Sequence, residues 1–257
     1  MTGTRSALAL LAALRPPPRA PGALVVDGAA ALVPLLAREL GRDGRPGLVR
    51  EGGRLDGAAA LVWVGAPDEQ RLREASIARV PIVAVTDADD VPYVLATDLV
   101  RVVAGQGFPV TAIASALARR LGGNGPALAA ALPVLRTAVV DELIAAAERR
   151  NGLLAAGLFV PAVDMPVLTL GQVRLVTAIA EAYGLAAGGE RALEAAGVVG
   201  AGFGFRALAR QALDAVPLAG WAVKGAVAAA GTRAVGEAAR RYFEHAAAPT
   251  SAVRRRS

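Results

Sequence analysis

Four short apolar runs lie in the first half of the chain: ALVV (23–26), LVWV within 55–67, PIVAV (81–85) and VRVV (100–103). Stretches of helical periodicity follow three of them. Strands that return in the same direction through a covering helix bury both faces of such runs, so the pattern reads as a βα alternation. From residue 126 onward the runs stop and every segment takes a helical period. This change of period predicts an α/β N-terminal domain with a mainly parallel sheet over 22–123, followed by an all-α Gly/Ala-rich helical domain over 126–246. A short helix and Pro-rich linker (1–21) are expected before them, and a basic disordered tail (247–257) after.

The helices can be placed from local signals. AAALVPLLAREL (29–40) and the charged DEQRLREASIAR (68–79) cover the sheet, and TAIASALARRLGG (111–123) is closed by Gly122 and Gly123. In the helical part Pro133 suits a first turn, and Asn151 with Gly152 suits a C-cap that ends the helix there. Hydrophobic residues make up 54% of the chain but aromatics only 4%, so its core must come from many close contacts between small side chains. The glycines fit that need. Gly197, Gly200 and Gly204 fall on one helical face, with Gly200 and Gly204 as a small-xxx-small pair. Gly225, Ala228, Thr232 and Gly236 form a second stripe. An interior glycine costs a helix about 1 kcal/mol, and close packing is the expected compensation.

The stretch VDMPVLTLGQVRLVTAIAEAYG (163–184) shows how such a helix must sit. At 100° per residue, Arg174, Thr177 and Glu181 share a wet face, while Leu168, Gln172, Val176, Ile179 and Tyr183 share the opposite, apolar one. Gln172 is the odd member of that stripe. A buried amide costs a few kcal/mol unless it is hydrogen-bonded, so it should meet a polar partner on a facing helix.

Several functions are excluded early. With no cysteine there is no disulfide, thiolate nucleophile or Cys-ligated metal, and the single His245 cannot build a Ser-His-Asp triad or a poly-His site. The net charge of +6 resides in Arg5, Arg15 and Arg19 at one end and Arg254, Arg255 and Arg256 at the other. A neutral body with two basic ends argues against nucleic acid and leaves the ends available to anionic lipid. The apolar run 7–14 is short and is followed by Arg15 and three prolines, so it reads as a helix with a stiff linker rather than a secretory signal, and the chain is expected in the cytoplasm. No segment is a clean membrane span. Residues 151–173 are interrupted by Asp164 and two prolines, leaving only a re-entrant hairpin, with 195–205, as an integral-membrane alternative.

AVDMPVLTLGQVRLVTAIAEAYG (162–184) and GFGFRALARQALDAVPLAGWAVKGAVAAAGTRAVGEAARRYF (202–243) closely resemble the helical domain of unknown function 697. That domain follows Era-like GTPase domains and is similar to the C-terminal part of YcjF-type inner-membrane proteins. The resemblance covers about 130–244. Its distinctive residues are Asp164, Arg174, Tyr183 with Gly184, Gly231 with Thr232, and Gly236. It implies association with a GTPase module and, in several relatives, with the cytoplasmic face of the inner membrane. It implies no catalytic residues.

The N-terminal half resembles a degenerate P-loop GTPase domain. A P-loop, G-x-x-x-x-G-K-[ST], needs glycines so that amides can cradle phosphates, Lys for the β/γ-phosphates and a hydroxyl for Mg²⁺. Gly28 matches the first glycine, but Val33, Pro34 and Leu35 stand where Gly, Lys and Ser/Thr should be. The base-reading N-K-x-D is reduced to Thr86-Asp87-Ala88-Asp89, with only Asp89 in register, and no D-x-x-G switch is found. The expectation is a pseudo-GTPase without cofactor or metal, acting as an interaction module toward a membrane surface, a partner GTPase or its own copy. The alternative is a phosphate-handling enzyme using Asp87, Asp89 and Asp90 for metal and Gly105 with Gly107 for an anion.

Overall fold

The computed structural model describes residues 20–103, 105–157, 164–185 and 221–247. Five strands form one parallel sheet: β1 (Ala23–Gly28), β2 (Val49–Glu51), β3 (Ala58–Val64), β4 (Ile82–Thr86) and β5 (Leu99–Arg101), in the order β2-β1-β3-β4-β5. Helices α1 (Val33–Leu40) and α2 (Glu69–Ile77) lie in the β1–β2 and β3–β4 crossovers, and α3 (Val110–Leu121) follows the last strand. The strand alternation sorts the core. Leu24, Val26, Val62, Val64, Val83 and Val85 face α1 and α3, while Val25, Leu61, Trp63, Ile82 and Ala84 face α2 through Leu72 and Ala75. Because both faces are covered, the strands read as unbroken apolar runs.

Two differences from the sequence reading have local causes. Strand β2 is a three-residue edge strand, too short and too polar (Val-Arg-Glu) to announce itself by pattern. Helix α1 starts at Val33 rather than at residue 29, because the chain first turns at Ala29, whose carbonyl accepts from both Leu32 N and Val33 N. Pro34 then occupies the first turn, where its missing N–H costs nothing. Asp68 caps α2, accepting from Arg71 N at 3.2 Å.

The second region is all helix among the described residues: α4 (Gly125–Ala131), α5 (Arg136–Gly157), α6 (Asp164–Ala182) and α7 (Trp221–Ala247). Helix α5 does not stop at Asn151 and Gly152 but continues to Gly157. Asn151 is buried at 1% exposure and donates to Thr232 on α7, so its amide is used between helices instead of at a cap. Gly152 lies where α7 comes close, 3.4 Å from Gly225 O once a Cβ is added. The stripe on α7 behaves as expected at Gly236, where a Cβ would sit 2.7 Å from Ile144 Cγ1. Gly231, which lies off that stripe, would carry a Cβ into open space, with nothing within 4 Å. Gly197, Gly200 and Gly204 lie outside the described residues.

Helix α5 runs antiparallel to α7. Asp141 pairs with Arg240, Ile144 meets Gly236, Glu148 meets Arg233 and Asn151 meets Thr232, in opposite order along the two helices. One apolar cluster extends from Leu24 and Val62 in the sheet through Ile113, Leu117 and Leu128 to Val140, Ile179 and Phe243. The α1–β2 loop also reaches the helices, with Arg45 N donating to Ala131 O at 2.8 Å. No helix among the described residues is long and apolar enough to cross a membrane. The stretch 151–173 is divided between α5 and α6, with Asp164 opening α6. The remainder of the hairpin reading, 158–163 and 195–205, lies outside the described residues.

Candidate functional site

In the order β2-β1-β3-β4-β5 the crossovers reverse direction between β1 and β3, and the crevice beyond the carboxyl ends of these strands is where doubly wound sheets bind ligands. Here that crevice is closed by the chain. Gly28 has φ 126°, and a Cβ on it would lie 2.1 Å from Val64 O, so only glycine lets β1 press so tightly on β3. Ala29 N donates to Val64 O at 2.8 Å, folding the β1–α1 turn over the end of β3. On the other side Gly65, at φ 100°, brings its backbone within 2.9 Å (Cβ position) of Ala29 Cβ.

A phosphate cradle needs free amides pointing into a wide loop. Of the amides from Gly28 to Val33, those of Gly28, Ala29, Leu32 and Val33 are engaged internally, which leaves only Ala30 and Ala31, in an exposed turn. Val33 is buried in the core, Pro34 has no N–H to give, and Leu35 projects at 45% exposure. None of the three carries a side-chain cation or hydroxyl.

An ion pair fills the mouth of the crevice. Asp27, at the end of β1, accepts from Gly28 N at 2.9 Å with one oxygen and from Arg71 Nε at 2.9 Å with the other. Arg71, on the first turns of α2, also donates to Glu74 at 3.1 Å and to Gly53 O. Both side chains are only about a quarter exposed (22% and 26%). Burial works against the Arg71 charge, but the hydrogen bonds to Glu74 and Asp27 outweigh it and hold its pKa above the ordinary guanidinium value. One cation therefore joins β1, the β2–β3 loop and α2 across the place a ligand would enter.

The acidic loop after β4 does not assemble. Asp89 pairs with Arg101 on β5, while Asp87 and Asp90 are exposed. Thr86 Oγ1 accepts from Ala88 N at 3.2 Å, so the loop start is an ordinary hydroxyl-capped turn. Among the described residues no three His, Cys, Asp or Glu side chains group to hold a metal ion. Gly105, at φ 80°, and Gly107 are exposed, and a Cβ on either meets nothing within 4 Å.

The helical residues singled out from sequence play parts in packing. Gln172, Val176 and Ile179 are buried and Arg174 is exposed, as the helical wheel predicts, and Gln172 is not left without a partner. Gly184, at φ 73°, ends α6 in a Schellman turn, with Leu185 N on Ala180 O at 3.0 Å and Gly184 N on Glu181 O at 2.8 Å. Arg136 reinforces that end by donating to Ala182 O at 3.1 Å while its guanidinium lies 5.3 Å from the Tyr183 ring centre. Tyr183 donates to Glu244 at 2.9 Å. Burial first, and that hydrogen bond second, push its pKa up. Only the backbone of Asp164 is described, as the first residue of α6.

Sequence reasoning missed Asp27, Arg71 and Asp98, and read Asn151 as a helix cap rather than as an interhelical contact. Asp98 is 1% exposed just before β5, with Arg120 Nε at 2.7 Å in an ion pair outside hydrogen-bond alignment, so it ties β5 to the end of α3 at the far edge of the sheet. An acid directly after an apolar strand, as in ALVVDG, was the available signal for Asp27; nothing local marked its partner 44 residues on. No protein-family model matches the chain, and no curated protein or solved structure is significantly similar to it, so the family resemblance rests on the quoted residues alone.

Proposed function

We propose that the protein is a non-catalytic interaction module. In this reading its α/β part is a pseudo-GTPase that takes no nucleotide, and its helical part docks on a membrane surface or a partner GTPase. The observation that carries it is the crevice between β1 and β3, occupied by the Asp27–Arg71 pair and closed by the Gly28–Val64 contact. A site evolved for nucleotide would keep its amides free and its mouth open. The choice of docking target follows the resemblance of 130–244 to GTPase-associated helical domains, and the basic ends add charge suited to anionic lipid.

Titration of the full chain with GTP and GDP in the presence of magnesium tests the first half, with no saturable binding expected. Saturable binding in the micromolar range or tighter would overturn it. Cell fractionation tests the second half. Recovery of the full chain with membranes until a high-salt wash supports peripheral docking, and recovery in the soluble fraction throughout removes the membrane from the reading.

A further inference from the structure

We propose that the Asn151–Thr232 contact is a built-in break in the α5–α7 pair, at which the distal parts (152–157 and 221–231) open while the proximal parts stay closed. A threonine hydroxyl has one hydrogen. Thr232 spends it on Ala228 O at 2.8 Å, so it can only accept from Asn151, and Asn151 must present Nδ2 at 3.0 Å. This fixes the carboxamide orientation and leaves Oδ1 buried without a donor. Oδ1 faces Gly171 of α6, 3.1 Å from where a Cβ would stand; Arg150 Nη2 comes within 3.4 Å of the same position but does not hydrogen-bond to Oδ1. A buried acceptor without a donor costs about 1–3 kcal/mol, which water relieves as soon as the helices part.

The two sides of this layer differ in what holds them. On the proximal side Ile144 seats against Gly236, Val140, Val235, Ala239 and Phe243 are buried together, and Asp141 and Glu148 pair with Arg240 and Arg233. On the distal side small meets small, Gly152 against Gly225 and Ala229, and Leu153 is 74% exposed. No ion pair joins the two helices beyond Asn151 among the described residues. Among the distal residues whose side chains are described, Gly225 alone is buried, and the polar layer separates them from the stapled half. Local opening follows the weakest contiguous set of contacts, and here that set is bounded by Asn151 and Thr232.

Amide hydrogen exchange on the full chain is the test, comparing 152–157 and 221–231 with 139–148 and 233–243. The distal amides are expected to exchange about tenfold faster or more, the factor equivalent to the cost of one unsatisfied buried acceptor. Because helix ends fray anyway, two variants decide the cause. The pair Asn151→Leu with Thr232→Val removes both polar groups at near-constant volume and should bring the distal rates toward the proximal ones. Thr232→Val alone strips Asn151 of its remaining partner and should speed distal exchange further. Equal rates in the wild-type chain, or the same distal rates in all three proteins, would overturn the proposal.

A link from this opening to docking rests on the membrane reading above, and vesicles of anionic lipid separate the two. If the double variant is locked by exchange and also binds vesicles at least several-fold more weakly than the wild type, the break serves lipid contact. If exchange shows the break and neither protein binds vesicles, the break stands and the membrane reading fails.

Discussion

The carboxyl edge of the sheet and the middle of the α5–α7 pair solve the same problem, placing polar groups where water is scarce, in opposite ways. At the sheet edge the amides of Gly28, Ala29, Leu32 and Val33 and the charges of Asp27 and Arg71 all have partners, mostly through backbone geometry. Between the helices the backbone satisfies itself, and side chains alone set the contact. There one carboxamide oxygen is left dry, and a glycine supplies the fit. A closed hydrogen-bond ladder leaves no slack, so the sheet edge should fail abruptly when altered. Helix contacts made by shape should yield by degrees.

The largest effect is expected at Gly28. Valine there must adopt φ near 126° and would drive its Cβ to 2.1 Å from Val64 O, parting β1 from β3 at the centre of the sheet. Backbone strain and lost ladder bonds together should exceed about 4 kcal/mol. Loss of cooperative thermal unfolding, or of soluble expression, is the readout; a Gly28→Val protein melting within a few degrees of wild type would refute the close approach. Asp27→Ala comes next. It leaves the Arg71 guanidinium without its β1 partner, yet Glu74 and Gly53 O remain and the site is partly solvated, so about 1–3 kcal/mol is expected. A double-mutant cycle with Arg71→Ala should return most of that loss as coupling, and strict additivity would show the pair to be incidental.

What the sequence disclosed follows the same division. The runs ALVV, LVWV and PIVAV were legible because a strand buried on both faces must be apolar at every position, which no surface segment imitates. The wheel of 163–184 placed Gln172 and Arg174 because helical period needs no knowledge of the partner. What could not be read depended on distant partners. Asn151-Gly152 has the chemistry of a helix stop, and only the approach of Thr232, 81 residues later, converts it into an interior contact. The lack of a P-loop lysine and hydroxyl at Val33, Pro34 and Leu35 was visible in the sequence, but the Asp27–Arg71 pair was not, since an ion pair across 44 residues leaves no local pattern. Gly236, on the small-residue stripe, is packed, and Gly231, one residue off that stripe, is not.

Those two glycines give the third prediction, on the helical side. Gly236→Ala must push Ile144 aside from 2.7 Å, an overpacking cost of about 1–3 kcal/mol set against a helix gain of about 1. Gly231→Ala meets open space and should keep the whole gain, about 0.5–1 kcal/mol of added stability. Chemical denaturation of the two single variants should therefore give opposite signs, and Ile144→Val should recover part of the loss in the Gly236→Ala background. Equal stabilisation by both would mean that α5 and α7 do not meet closely at Ile144.

The smallest effect lies at Tyr183, where α6 ends against α7, and it is read through pH. Burial and the hydrogen bond to Glu244 favour the protonated phenol, while Arg240 and Arg136 offset them only in part, so the folded-state pKa is raised. The folded protein then holds its proton over a range in which the unfolded chain has released it. Stability from this group is fully present below the ordinary tyrosine value of about 10 and is lost as pH rises above it. Tyr183→Phe should cost only about 0.5–1 kcal/mol at neutral pH, because the Glu244 contact is solvent-exposed. It should also flatten the fall in unfolding free energy measured between roughly pH 9 and 11. If the wild-type chain and Tyr183→Phe decline in parallel over that range, the hydroxyl is not held by Glu244, and the end of α6 is fixed by the Gly184 turn and Arg136 alone.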